Sequence, residues 1–153
     1  MDVKLTEIEE DILIAGFSIE TNFEDNDKDL EILYKDFIDN GKMELMENVT
    51  KNDHEYHLVT WLTEPQEGKF KYLLGQKINE KVESLEIKII KSGEYAVSRF
   101  PPKYYAFKAW TEIYEEGIPG IGYKLKEPDD IAFKYYPKGL DGEYELWVLV
   151  EKV

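Results

Sequence analysis

The sequence predicts an α+β fold in which two strands, an amphipathic helix and two more strands occur twice, over residues 1–78 and 84–153. Apolar and polar residues alternate with the period of a strand in repeated stretches of both halves. Helical spacing occurs in one stretch of each half, and Gly, Pro, Asn and Asp punctuate the joins. A single half would leave one face of a small sheet bare. Two halves packed together share a core and leave a seam between them. The expectation is one domain over 1–153, with antiparallel sheets, two main helices and a ligand groove between the halves.

Val3 to Ile8 alternates as a strand, and Glu9-Glu10-Asp11 reads as a turn. Ile12 to Thr21 follows as a second strand, with Gly16 marking a bulge. Asn26 and Asp27 are N-cap residues. Leu30, Leu33, Tyr34, Phe37 and Ile38 then repeat at helical spacing until Asn40-Gly41 ends the helix. Residues 42–53 read as a polar connection anchored by Met43, Leu45 and Met46. Glu55 to Thr63 and Lys69 to Ile78 are strands around the turn Glu64 to Gly68. Asn79 to Glu83 is a short charged junction.

The second half opens with alternation from Leu85 to Ile89. Ser92-Gly93 reads as a hairpin turn into a strand over Glu94 to Phe100. Pro101-Pro102 ends that strand, and a proline is tolerated in a first helical turn. Ala106, Trp110, Ile113 and Tyr114 give the helical face up to Gly117, and Ile118 to Gly122 reads as a stop. Asp130 to Tyr136 and Glu143 to Lys152 close the half as two strands.

Composition narrows the function. The chain has 153 residues, 42% of them hydrophobic and 14% aromatic, so it can bury a core. It has no cysteine, which removes disulfides, thiol catalysis and cysteine-based zinc sites. The formal charge of −14, with Arg99 the sole arginine, repels phosphate backbones and argues against direct nucleic-acid binding. No apolar run reaches the about 18 residues of a membrane span, and the N-terminus lacks the features of a signal peptide. No membrane partner and a cytoplasmic location are therefore expected.

Most chemical motifs fail on geometry. His54 and His57 stand three apart on a strand start, so they point to opposite faces and do not share a metal. Gly117, Gly120 and Gly122 follow a helix, whereas a phosphate loop opens one. Gly16-Phe17-Ser18 lacks the second glycine of a nucleophile elbow. The acidic pairs Glu9-Glu10, Glu115-Glu116 and Asp129-Asp130 read as solvated. Glu145 differs: it lies in the last strand beside Trp147 and Leu149, where burial would raise its pKa. No cofactor is implied.

The aromatic set is the sharpest signal. Tyr56, Trp61, Tyr95, Trp110, Phe133, Tyr135 and Trp147 fall on elements expected to border the seam, and with Glu145 they form the candidate binding set. Phe133 and Tyr135 share one strand face. An apolar pocket with a few polar tips is the usual site for a small molecule, although each residue taken alone is equally explained by core packing.

The order of elements, together with Gly93-Glu94-Tyr95-Ala96-Val97, Trp110, Phe133-Lys134-Tyr135-Tyr136-Pro137 and Glu145-Leu146-Trp147-Val148-Leu149-Val150, resembles the GyrI-like (gyrase-inhibitor-like) family of bacterial AraC-type effector-binding domains. That resemblance implies duplicated β-α-β-β (SHS2-like) modules, a ligand groove between the copies, and a stand-alone member. It also implies a role in drug or stress response or in transcriptional regulation. The family's pocket glutamate aligns with Phe133, so the resemblance implies a neutral lipophilic or aromatic ligand and no catalytic residue. Two alternatives stay open: hydrolysis of a small molecule with Glu145 and Tyr135, and an acidic module for a protein partner such as a gyrase.

Overall fold

The computed structural model describes residues 1–126 and 131–153. Its elements are β1 (Lys4–Ile8), β2 (Ile12–Asn22), α1 (Asn26–Asp39), α2 (Lys42–Thr50), β3 (Tyr56–Glu64), β4 (Lys69–Ile78), β5 (Glu86–Ile90), β6 (Gly93–Phe100), α3 (Ala106–Glu112), β7 (Tyr123–Leu125), β8 (Ala132–Tyr136) and β9 (Tyr144–Lys152). The fold is α+β, with nine antiparallel strands and three main helices among the described residues. The expected strand start at Asp130 and the pair Asp129-Asp130 lie outside the described residues.

The strands lie side by side in the order β1-β6-β9-β8-β3-β4-β2-β5, with β7 along the end of β9. This order corrects the reading of Ser92-Gly93 as a hairpin turn: β5 pairs with β2, while β6 pairs with β1 and β9. Lys91 and Ser92 therefore carry the chain from one end of the sheet to the other. In a flat sheet the two strands would stand six spacings apart, about 29 Å. The link from Ile90 to Gly93 spans at most about 10 Å. The sheet must therefore curl until its ends meet. Glu9 to Asp11 makes the matching crossing from β1 to β2, and the Ser92 N–H donates to Asp11 Oδ1 at 2.8 Å between the two links.

Curling buries both faces. The inner face closes on itself around Ile14, Val59, Leu73, Ile90, Tyr95, Phe133 and Leu149, side chains drawn from strands at both ends. The outer face carries the helices over Leu58, Leu74, Ala96, Leu146, Val148 and Val150. In α1, Leu33 and Phe37 point down at the spacing of a buried stripe, and Phe37 meets Tyr56 edge-on at 6.0 Å.

Gly16 is not a bulge, because the register between β2 and β4 runs unbroken from Leu13 to Asn22. It faces Gly75, and a Cβ on Gly16 would lie 2.2 Å from the Leu74 carbonyl oxygen. The glycine pair lets two backbones come together where the sheet bends. The irregularity lies instead between Leu62 and Glu64 of β3.

Residues 42–50 form α2 where the sequence suggested a connection. Its single buried anchor, Met46, gave too short a period to read, and packing against α1 and β4 stabilises it. The fully buried Gln76 fixes its exit, accepting from Thr50 Oγ1 at 2.6 Å and donating to the Asn52 and Glu55 carbonyls at 2.9 and 3.0 Å. The chain also stays helical through Gly117, across a wide turn over Ile113–Gly117 and on to Gly120. Gly117 serves close packing there, since a Cβ would meet Val3 Cγ2 at 2.6 Å.

Candidate functional site

On the outer face, a groove of about 610 Å³ runs between the start of α1 and α3. Strand alternation supplies its floor: Thr60 and Leu62 of β3 stand beside Tyr72 and Phe70 of β4. One wall is the approach to α1, from Phe23 to Asp27. The other is made by Phe107 and Trp110 of α3 and Tyr114 in the wide turn that follows it, with Leu125 of β7 at its end. The rings are locked to one another. Trp110 stacks on Tyr114 at 5.7 Å, Phe23 leans on Phe70 at 5.1 Å, and Phe70 meets Tyr72 edge-on at 5.5 Å. Tyr72 donates its hydroxyl to Asn26 Oδ1.

The groove is apolar and uncovered. Phe23 is 75% exposed and Phe107 65%, and Leu62, Tyr114 and Leu125 are also exposed. Large apolar side chains gathered around one concavity mark a binding surface more than they mark a fold. The carboxylates of Glu24 and Asp27 stand on the same wall.

Beyond the floor lies a buried polar patch. On β8, Ala132 pairs with Thr60, and the next outward residue is Lys134, only 7% exposed. Its ammonium sits 4.2 Å from the centre of the Tyr144 ring and 5.3 Å from that of Tyr136. Burial pushes Lys134 down to about 8. The Tyr34 and Tyr136 hydroxyls share a 2.7 Å hydrogen bond. Burial first, then Tyr136, with smaller contributions from Tyr72 and Tyr144, raises the Tyr34 phenol well above its usual range.

The structure divides the eight sequence candidates. Trp110 is in the groove. Trp61 borders it, but its ring packs on the inner cluster beneath Lys88, whose Nζ is 4.4 Å from the ring centre. Tyr56 is fully buried under α1 and donates to Glu47. Tyr95, Phe133 and Trp147 form one inner stack, Phe133 lying on Trp147 at 5.3 Å and 15°. Tyr135 lies on the inner face and donates to Glu55 Oε1 at 2.5 Å. Glu145 takes Arg99 at 3.1 Å and the Trp147 indole N–H at 3.0 Å.

Glu145 and Tyr135 are therefore engaged with other partners, on the face away from the groove. Odd-numbered residues of β8 and β9 point inward, and alternation alone does not say which face the helices cover. His54 is exposed, while His57 is buried between Phe133 and Tyr135, its Nδ1 without a partner.

Sequence reasoning missed Phe23, Phe70, Tyr72, Phe107 and Leu125 as lining residues. Phe107, Trp110 and Tyr114 follow helical spacing, so the signal was present, but the same spacing describes a core stripe. That role falls to Ala109 of α3 and to Ile113 just after it.

The model of the GyrI-like small molecule binding domain matches residues 1–149. No curated protein matches the chain. Among solved structures, SAV2435 bound to tetraphenylphosphonium is similar with a TM-score of 0.76 at 13% identity, covering 99% of this chain and 94% of that one. An integron cassette protein from the mobile metagenome of Vibrio cholerae gives 0.70 at 14% identity, covering 97% and 95%. The C-terminal domain of EcmrR gives 0.57 at 13% identity, covering 99% and 98%.

Proposed function

The chain belongs to the family of GyrI-like small molecule binding domains, and on that premise we propose that it holds a lipophilic, aromatic molecule in the groove between α1 and α3. One observation carries this reading: the exposed Phe23, Leu62, Phe107, Tyr114 and Leu125 all line the same concavity. Residues 1–153 act as one binding domain in this reading, with an effector-type role in drug or stress response or in transcriptional regulation. A protein of the same fold was solved with tetraphenylphosphonium, an ion clothed in four phenyl rings, which supports an aromatic ligand. Flat rings can slide between the Trp110–Tyr114 stack and Phe70, removing apolar surface on both sides from water.

The test uses the uncharged dye N-phenyl-1-naphthylamine, whose emission rises in apolar surroundings. Saturable binding is expected, weakened at least about tenfold by Phe107→Ser or Trp110→Ala, as the loss of one buried aromatic contact implies. Trp147→Phe, on the inner face, should leave it unchanged. No saturable signal, or equal binding by the groove variants, overturns the reading.

A further inference from the structure

Behind the floor of the groove lies a buried positive charge that does not itself line it. Lys134 is the next outward residue of β8 after Ala132, which pairs with the floor residue Thr60. Among the described residues no carboxylate or carbonyl accepts from its ammonium; the faces of Tyr144 and Tyr136 are its neighbours. Among the described residues, these two aromatic faces offset only part of the cost of burying an ammonium, and the fold bears the remainder. Near Lys134, the Tyr34, Tyr72, Tyr136 and Tyr144 phenols form the cluster in which Tyr34 is held protonated.

Resting on the groove as the binding site, we propose that the natural ligand is an aromatic anion, its rings between α1 and α3 and its carboxylate or phenolate head reaching inward to Lys134. The lysine stem is flexible enough to turn its ammonium toward the head. The nearby acids do not cancel this. Glu24 and Asp27 stand on the outer wall, where solvent and salt screen them, and Glu112 accepts the Tyr104 hydroxyl. The overall charge of −14 disfavours any anion, so a preference for one must arise locally.

Three matched fluorescent probes test this: anthracene-9-carboxylate, its amide, and 9-(aminomethyl)anthracene. In the wild type the carboxylate should bind about tenfold tighter than the amide, the gain of one charge-assisted contact, and the amine weakest. In Lys134→Met the carboxylate-to-amide ratio should fall to about one. Trp110→Ala should weaken all three probes together. If the amide or amine matches the carboxylate in the wild type, the anion proposal falls while the groove stands; this comparison needs no variant, so misfolding of Lys134→Met does not shield it. If the ratio survives in a folded Lys134→Met, the proposal falls as well. If no probe binds the wild type, the groove reading fails and the anion proposal fails with it.

Discussion

Replacing His57 with phenylalanine should flatten the dependence of stability on acid. His57 is 8% exposed between two aromatic rings, and its Nδ1 has no partner. Burial, opposed by Glu55 and assisted by Lys77, lowers it from 6.5 to about 4. Between those values the unfolded chain binds a proton that the folded protein refuses. Stability is thus fully present above the unfolded value and is lost as pH falls toward the folded one. Integrating a difference of about 2.5 units gives a loss of about 2 kcal/mol between pH 7 and pH 5, rising to about 3 by pH 4. The melting temperature should drop by about 4–8 °C over the first interval. Glu55 and Asp36 are held below the usual carboxylate range, so their stabilisation is lost mainly under more acid conditions. Urea titrations at stepped pH provide the assay. A His57→Phe protein that keeps the wild-type slope between pH 7 and 5, or a His57 imidazole titrating near 6.5 by NMR, would refute the reasoning.

Three further outcomes are expected. Gly75→Ala places a Cβ 1.8 Å from the Ala15 carbonyl oxygen, so chemical denaturation should show a loss above about 3 kcal/mol. Phe133→Glu puts a carboxylate between Tyr95 and Trp147. It should cost at least about 3 kcal/mol and yield no tighter binding of a cationic dye, as a melting curve and a titration will show. Tyr34→Phe leaves the buried Tyr136 hydroxyl without its partner, which calorimetry should register as a loss of about 1–2 kcal/mol.

Apart from the three-residue β7, which the sequence reading missed, the strands were legible almost to the residue, because their alternation and turn residues are local. Their neighbours were not. Nothing near Ser92-Gly93 says that the chain is leaving one end of a curled sheet for the other; the pairing of Lys4 with Val97 is settled by closure of the whole structure. Curling also hid the site. In β9 both Tyr144-Leu146-Val148 and Trp147-Leu149 are apolar, since both faces are covered, so alternation could not assign Trp147 and Phe133 to the inside. Trp110 was found because an aromatic on a helix near the seam was given weight. Phe107 and Phe23 have no such signal: one belongs to a stripe that mimics a core, and the other precedes a helix with no periodicity.

The two crossing links also govern the order of events when the chain is made. β1 leaves the ribosome first, yet it has no strand to pair with until β6 is complete; β2 waits with one edge bare until β5 arrives. A nascent chain ending at Ile78 thus carries an unpaired strand and two open edges, on β2 and on β3, features prone to stray pairing. Folding is tied to contacts distant in sequence and should be slow for a chain of this size. The same reciprocity makes the halves mutually dependent: each supplies the strand that finishes the other's edge, so a fragment of either would be missing a strand that only the other contains.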